Sequence, residues 1–105
     1  MRNYKVIVAD AAKQRLHEYL NYLKYDLGSQ QAAKSVYKDY VATRKRLEDA
    51  AGSLKVCDDP DLNVLGYHRI NFRHHDYFLM YRVDGNYAYV DYVFHGLEDY
   101  KNHMH

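Results

Sequence analysis

GYHRINFRHHDYFLMYRVDGNYAYVDYVFHGLEDY, residues 66–100, decides the fold of this 105-residue chain. From Tyr67 the apolar side chains recur every second residue, the period of a half-buried strand. Ile70 and Phe72 oppose Arg69, Asn71 and Arg73. Tyr77, Leu79, Tyr81 and Val83 oppose Phe78, Met80 and Arg82. The dipeptide Asp84-Gly85 marks a tight turn, because it tolerates positive φ. Beyond it Ala88, Val90, Tyr92 and Phe94 alternate with Tyr87, Tyr89, Asp91, Val93 and His95. Three consecutive strands are expected, with His95 ending the last on its polar side.

Upstream the period is helical. Tyr4–Val8 reads as a short strand, and Asp10 is placed to cap a helix through its carboxylate. Ala12, Leu16, Tyr19, Leu20, Leu23 and Leu27 form that helix's apolar stripe. Gly28 supplies a left-handed stop and Ser29 caps a second helix, with Ala33, Val36, Tyr40, Leu47 and Ala51 on one face and Gly52 at its end. So short a linker makes a helical hairpin. The stretch SLKVCDDPDLNVLG, with Pro60 and three aspartates, has no period and reads as a loop. The fold class is α+β: helices on one face of a sheet, the other face left to polar chains. Residues 1–105 are expected to form one domain.

Composition narrows the function. The net charge is only +1, whereas nucleic-acid binders usually carry a clear basic excess. The positive charge is local: residues 1–50 hold ten Lys/Arg against six Asp/Glu, and 84–105 hold one against four. A lone cysteine, Cys57, allows no internal disulfide, and Asp58 and Asp59 beside it would raise rather than lower its pKa. Seven histidines show no zinc spacing, and the adjacent His74 and His75 point apart on a strand. Neither a metal nor a cofactor is expected. No glycine-rich phosphate loop or nucleophile elbow is present. The absence of a long apolar run excludes a membrane span and the N-terminal stretch is too short for a signal peptide, so a cytoplasmic location is expected.

What remains is the polar sheet face. Side chains two apart on a strand lie roughly 7 Å from one another, so Arg69, Asn71 and Arg73, joined by Arg82, are spaced for phosphate oxygens. Guanidinium grips phosphate with a planar fork. The same residues also fit an ordinary solvated face. Phe78, Tyr87 and Tyr89 are candidates to stack bases, or to floor a protein partner's site. His95 is a candidate general acid or base, or a histidine bonded to a nearby carbonyl.

The run YKVIVADAAKQRLHEYLNYL, the pattern Gly66-Tyr67-x-Arg69 followed by Tyr77, Tyr81 and Val83, and the ending from His95 to Asp99-Tyr100 resemble the RelE/ParE superfamily of type II toxin–antitoxin toxins. The resemblance implies a small antiparallel sheet with a helical hairpin on one face, and silencing by a co-encoded antitoxin in a hetero-oligomer. RelE-like members are metal-independent ribonucleases that cut mRNA on the ribosome, whereas ParE-like members poison DNA gyrase without cutting RNA. Arg69 and Arg73 fall where the ribonucleases place basic residues on the second strand. His95 falls near a catalytic strand-end position, and Tyr100 near the C-terminal tyrosine. Phe78 stands where RelE has a key arginine, and Asn71 replaces one of two paired lysines. The leading expectation is an mRNA endoribonuclease. A ribose 2′-hydroxyl would attack its own 3′ phosphate, with His95 as acid or base, Arg69, Arg73 and Arg82 stabilising the added charge, and Tyr100 positioning a base. The alternatives are a gyrase poison and a degenerate member that only binds its antitoxin.

Overall fold

A computed structural model describes residues 3–54 and 60–96. The chain runs β1 (Lys5–Val8), α1 (Asp10–Asn21), a π-helical turn (Tyr22–Asp26), α2 (Gln30–Ala50), a 3-10 turn (Ala51–Ser53), α3 (Pro60–Val64), β2 (His68–Asn71), β3 (Tyr77–Asp84) and β4 (Tyr87–His95). The sheet order is β1-β4-β3-β2. β2, β3 and β4 pair antiparallel, and β1 joins the edge of β4 in parallel. The class is α+β with a helical hairpin, as expected.

Local sequence accounts for most of the helical half. Gly28 takes φ 66°, and Ser29 N–H bonds the Leu23 carbonyl at 2.9 Å, closing the π-helical turn that follows α1 with a left-handed glycine. The Ser29 hydroxyl accepts from Ala32 N–H at 3.1 Å, capping α2. Asp10 is not the cap of α1: Ala9 holds that position, and Asp10 contributes a carboxylate to the first turn, where it meets the positive end of the helix dipole. Leu27 leaves the apolar stripe and is exposed, because the π turn inserts an extra residue and shifts the helical phase.

The main core lies between hairpin and sheet. Leu16, Val36, Tyr40 and Leu47 from the helices meet Leu79, Tyr81, Val90 and Val93 from the strands. Tyr81, fully buried, donates its hydroxyl to the Ala51 carbonyl at 2.8 Å and stacks on His68. Its hydrogen bond lets so large a polar-tipped ring sit inside. Gly52 is required by close approach: a Cβ there would run into the Tyr4 hydroxyl. Gly52→Ala is therefore expected to cost about 1–3 kcal/mol, read as a lowered urea midpoint. An unchanged midpoint would mean that Tyr4 moves aside freely.

Three expectations are corrected. The β3–β4 turn is centred on Gly85-Asn86, since Asp84 already pairs with Tyr87; only Gly85 takes positive φ, 59°, as in the II′ class. The stretch after residue 52 contains α3 as well as loop, opened by Pro60 at a helix start that needs no N–H. Most consequentially, β4 carries a β-bulge. Met80 pairs with Tyr92 and Tyr81 with Val90, leaving Asp91 as the extra residue. A one-residue insertion flips every later side chain to the other face. Val93 and His95 therefore lie on the hairpin side, and Tyr92 and Phe94 on the far side.

The far face is not simply polar. Leu62 of α3 covers Phe78, Met80 and Phe94, with Tyr67 and Tyr92 packed around them, in a second apolar cluster.

Candidate functional site

On the far face, Phe78 is buried at 1% exposure, so it is not a platform on which a base could stack. Its ring lies 5.6 Å from that of Phe94. Arg69 lies across it, guanidinium carbon 3.7 Å from the ring centroid, and donates from Nε to Asn71 Oδ1 at 2.8 Å. Arg69 and Asn71 thus share the predicted face, but there they clamp the second core as a cation over an aromatic ring.

Arg82, further along β3, is paired. Its Nε donates to Asp91 Oδ2 at 2.6 Å and its Nη2 to Oδ1 at 3.4 Å, a fork-to-carboxylate geometry. Tyr67 donates its hydroxyl to the same Oδ2 at 2.8 Å. The hydrogen bond that Arg82 donates to Asp91 pushes its guanidinium further up. Burial, then the Asp91 carboxylate, pushes the Tyr67 phenol up. Arg82 pairs with Tyr89 across the strands, so Asp91, two residues on along β4, is its diagonal neighbour on the same face and supplies the counter-charge. Arg82 also lies over the Tyr89 ring at 5.4 Å, and Tyr89 stacks on Tyr87 at 5.9 Å. Tyr87 and Ile7, cross-sheet neighbours on this face, are exposed.

His95 is on the opposite face. It pairs with Tyr77, whose ring it meets edge-on at 5.0 Å. Its backbone N–H donates to the Tyr19 hydroxyl at 3.2 Å, which in turn points at the Val93 carbonyl at 3.5 Å. Tyr19 thereby satisfies the stretch of β4 that extends past β1. Along β3 the Tyr77 position is five residues from Arg82, roughly 17 Å, and the sheet lies between the two side chains. The expectation that His95 shares the arginine face is overturned by the bulge.

Arg73 also departs from that face. β2 ends at Asn71, and the chain then turns around α2 because Asp39 holds it. The buried Asp39 carboxylate accepts from Arg73 N–H at 3.2 Å, His74 N–H at 2.9 Å and His75 Nδ1 at 2.8 Å. Burial alone would raise this carboxyl; the bonds from His75, His74 and Arg73 outweigh it and hold it below the usual value. The Arg73 side chain lines grooves beside α2 with Lys38, Lys45 and Arg46. Tyr100 and Cys57 lie outside the described residues.

Sequence reasoning passed over Asp39, although a signal was present. It sits at helical spacing between Val36, Tyr40 and Thr43 on the inward stripe of α2, where an acid must find partners to be buried. Tyr19 gave no comparable signal, since it acts on the backbone of Val93 and His95, far along the chain. Among the described residues no three His, Cys, Asp or Glu side chains gather as a metal site, and no helix is long and apolar enough to cross a membrane.

The fold is shared with a solved structure described as the chromosomal ParDE TA system from P. aeruginosa. The TM-score is 0.71 at 15% identity, over 88% of this chain and 95% of that one. No curated protein matches. The sequence itself matches, over residues 6–100, the family model described as ParE toxin of type II toxin-antitoxin system, parDE. The chain belongs to that family of toxins.

Proposed function

We propose that this toxin acts without cutting RNA, as a ParE-like poison of DNA gyrase kept silent by a co-encoded antitoxin. One observation carries the reading: the side chains a ribonuclease would need together are dispersed. His95 lies under the sheet, Arg73 beside α2, Arg82 on Asp91, and Arg69 over Phe78. Acid–base catalysis requires the proton carrier within hydrogen-bond reach of the reacting group, and charge stabilisation requires the cations at the same phosphate. The family match agrees with a gyrase target, and the ParDE structural neighbour with an antitoxin partner. The exposed Ile7 and Tyr87, alongside Tyr89, form an apolar strip suited to being covered by that partner.

The experiment is induction of the chain in cells, parent against His95→Gln. Both are expected to trigger a DNA damage response before translation falls, and to kill within about threefold of each other, since contact area alone changes. A general acid–base residue contributes roughly 10²–10⁴ in rate. Loss of killing by the folded variant, with early translation arrest by the parent, would return the reading to an mRNA endoribonuclease acting at the ribosome.

A further inference from the structure

The groove beside α2 holds an arrangement that the toxin reading does not use. Ser35 and Asp39 stand one helical turn apart on α2, and the loop residue His75 bridges them. Ser35 Oγ lies 3.2 Å from His75 Nε2, and His75 Nδ1 lies 2.8 Å from Asp39 Oδ2. The proton positions follow from the chemistry. An ionised carboxylate only accepts, so Nδ1 carries the hydrogen; in the neutral ring Nε2 is then the acceptor, and the Ser35 hydroxyl donates to it. Asp39 is buried and fixed by two backbone amides, so it holds the ring in this tautomer. Ser35 itself is exposed. This is the order of groups that activates a hydroxyl nucleophile. The other two serines of the chain lack it: Ser29 caps α2 and Ser53 donates to the Ala50 carbonyl.

We infer that Ser35 is a nucleophilic serine, with His75 as its base and Asp39 as the positioning residue, and that the groove takes small carboxylic esters bearing an anionic group. The anionic preference comes from Lys38 and Arg73, the cations that line the same groove. In the reaction Ser35 Oγ attacks the ester carbonyl while His75 Nε2 takes the hydroxyl proton. The tetrahedral adduct expels the alcohol, which leaves with that proton. Water, deprotonated by the same nitrogen, then releases the acid and restores Ser35.

The test treats the full chain with a biotinylated fluorophosphonate, which transfers its phosphonyl group to an activated serine as fluoride leaves, and maps the label by peptide mass. Ser35 is expected to be labelled about 10²-fold faster than Ser29 and Ser53, and His75→Gln to remove that advantage at a temperature where circular dichroism shows the variant still folded. Ser35→Ala, a change at an exposed position, is expected to abolish turnover of 4-nitrophenyl hemisuccinate. The parent is expected to prefer that anionic ester to 4-nitrophenyl acetate, and Lys38→Ala to reduce the preference severalfold. Labelling of Ser35 no faster than of the other two serines, or turnover by Ser35→Ala equal to the parent, would overturn the nucleophile. Equal turnover of the two esters by the parent would overturn the substrate class.

Discussion

Replacing Phe78 with alanine is expected to cost about 3–5 kcal/mol of folding stability, the range for deleting a buried aromatic ring. The ring is 1% exposed, packed on Phe94 beneath Arg69, with Leu62 and Met80 in the same cluster. Neighbours fixed by strand pairing collapse poorly into the vacated space, which places the cost high in that range. Typical domains hold only about 5–15 kcal/mol in total, so the variant should be marginal at body temperature. Urea unfolding at neutral pH measures the loss. A base-stacking Phe78 would behave oppositely, giving near-parent stability and a selective loss of RNA contact. A drop below about 1 kcal/mol would show that α3 does not close the far face.

Asp39→Ala is expected to cost about 3 kcal/mol, from three charge-assisted hydrogen bonds worth individually about 1.5–3 kcal/mol and lost together. The sum is not reached because the amides of Arg73 and His74, on exposed residues, regain water once the loop opens. The effect has a sign in pH. The folded carboxyl sits below its ordinary value of 3.8, so the folded state binds its proton less readily than the unfolded chain. Its stabilisation is complete above that ordinary value and drains away as pH falls through the lower, folded one. The stability gap between parent and Asp39→Asn should therefore be constant down to about pH 4 and narrow below it. A gap that narrows on going from pH 4 to pH 7 would contradict this.

The helical half was legible because its signals are local. A glycine at φ 66° and a serine with its hydroxyl on an amide three residues on are settled by a few neighbouring residues. The alternation in β2 and β3 was legible for the same reason. The bulge at Asp91 was not, because alternation continues through it: Tyr89, Asp91 and Val93 read as one face, and only pairing with β3 reveals the extra residue. Arg73 was misplaced by a long-range cause, since the carboxylate that bends its loop lies 34 positions away on α2. Phe78 and Met80 stood as apolar residues on the face expected to be polar, but Phe94 joins them only through the bulge, and the short α3 that covers them gave too little periodicity to be seen. The side chains expected to share one site are thus set apart, His95 by the bulge and Arg73 by Asp39.

The central claim, that this toxin acts on gyrase rather than on RNA, is tested most directly with purified components in parallel reactions. The chain is added to gyrase with relaxed plasmid and ATP, and to a translating extract with a labelled mRNA. The expected result is loss of supercoiling or accumulation of cleaved plasmid at stoichiometric toxin, reversed by the antitoxin, with the mRNA intact. Ribosome-dependent cuts in the mRNA, with gyrase unaffected at the same concentration, would contradict it.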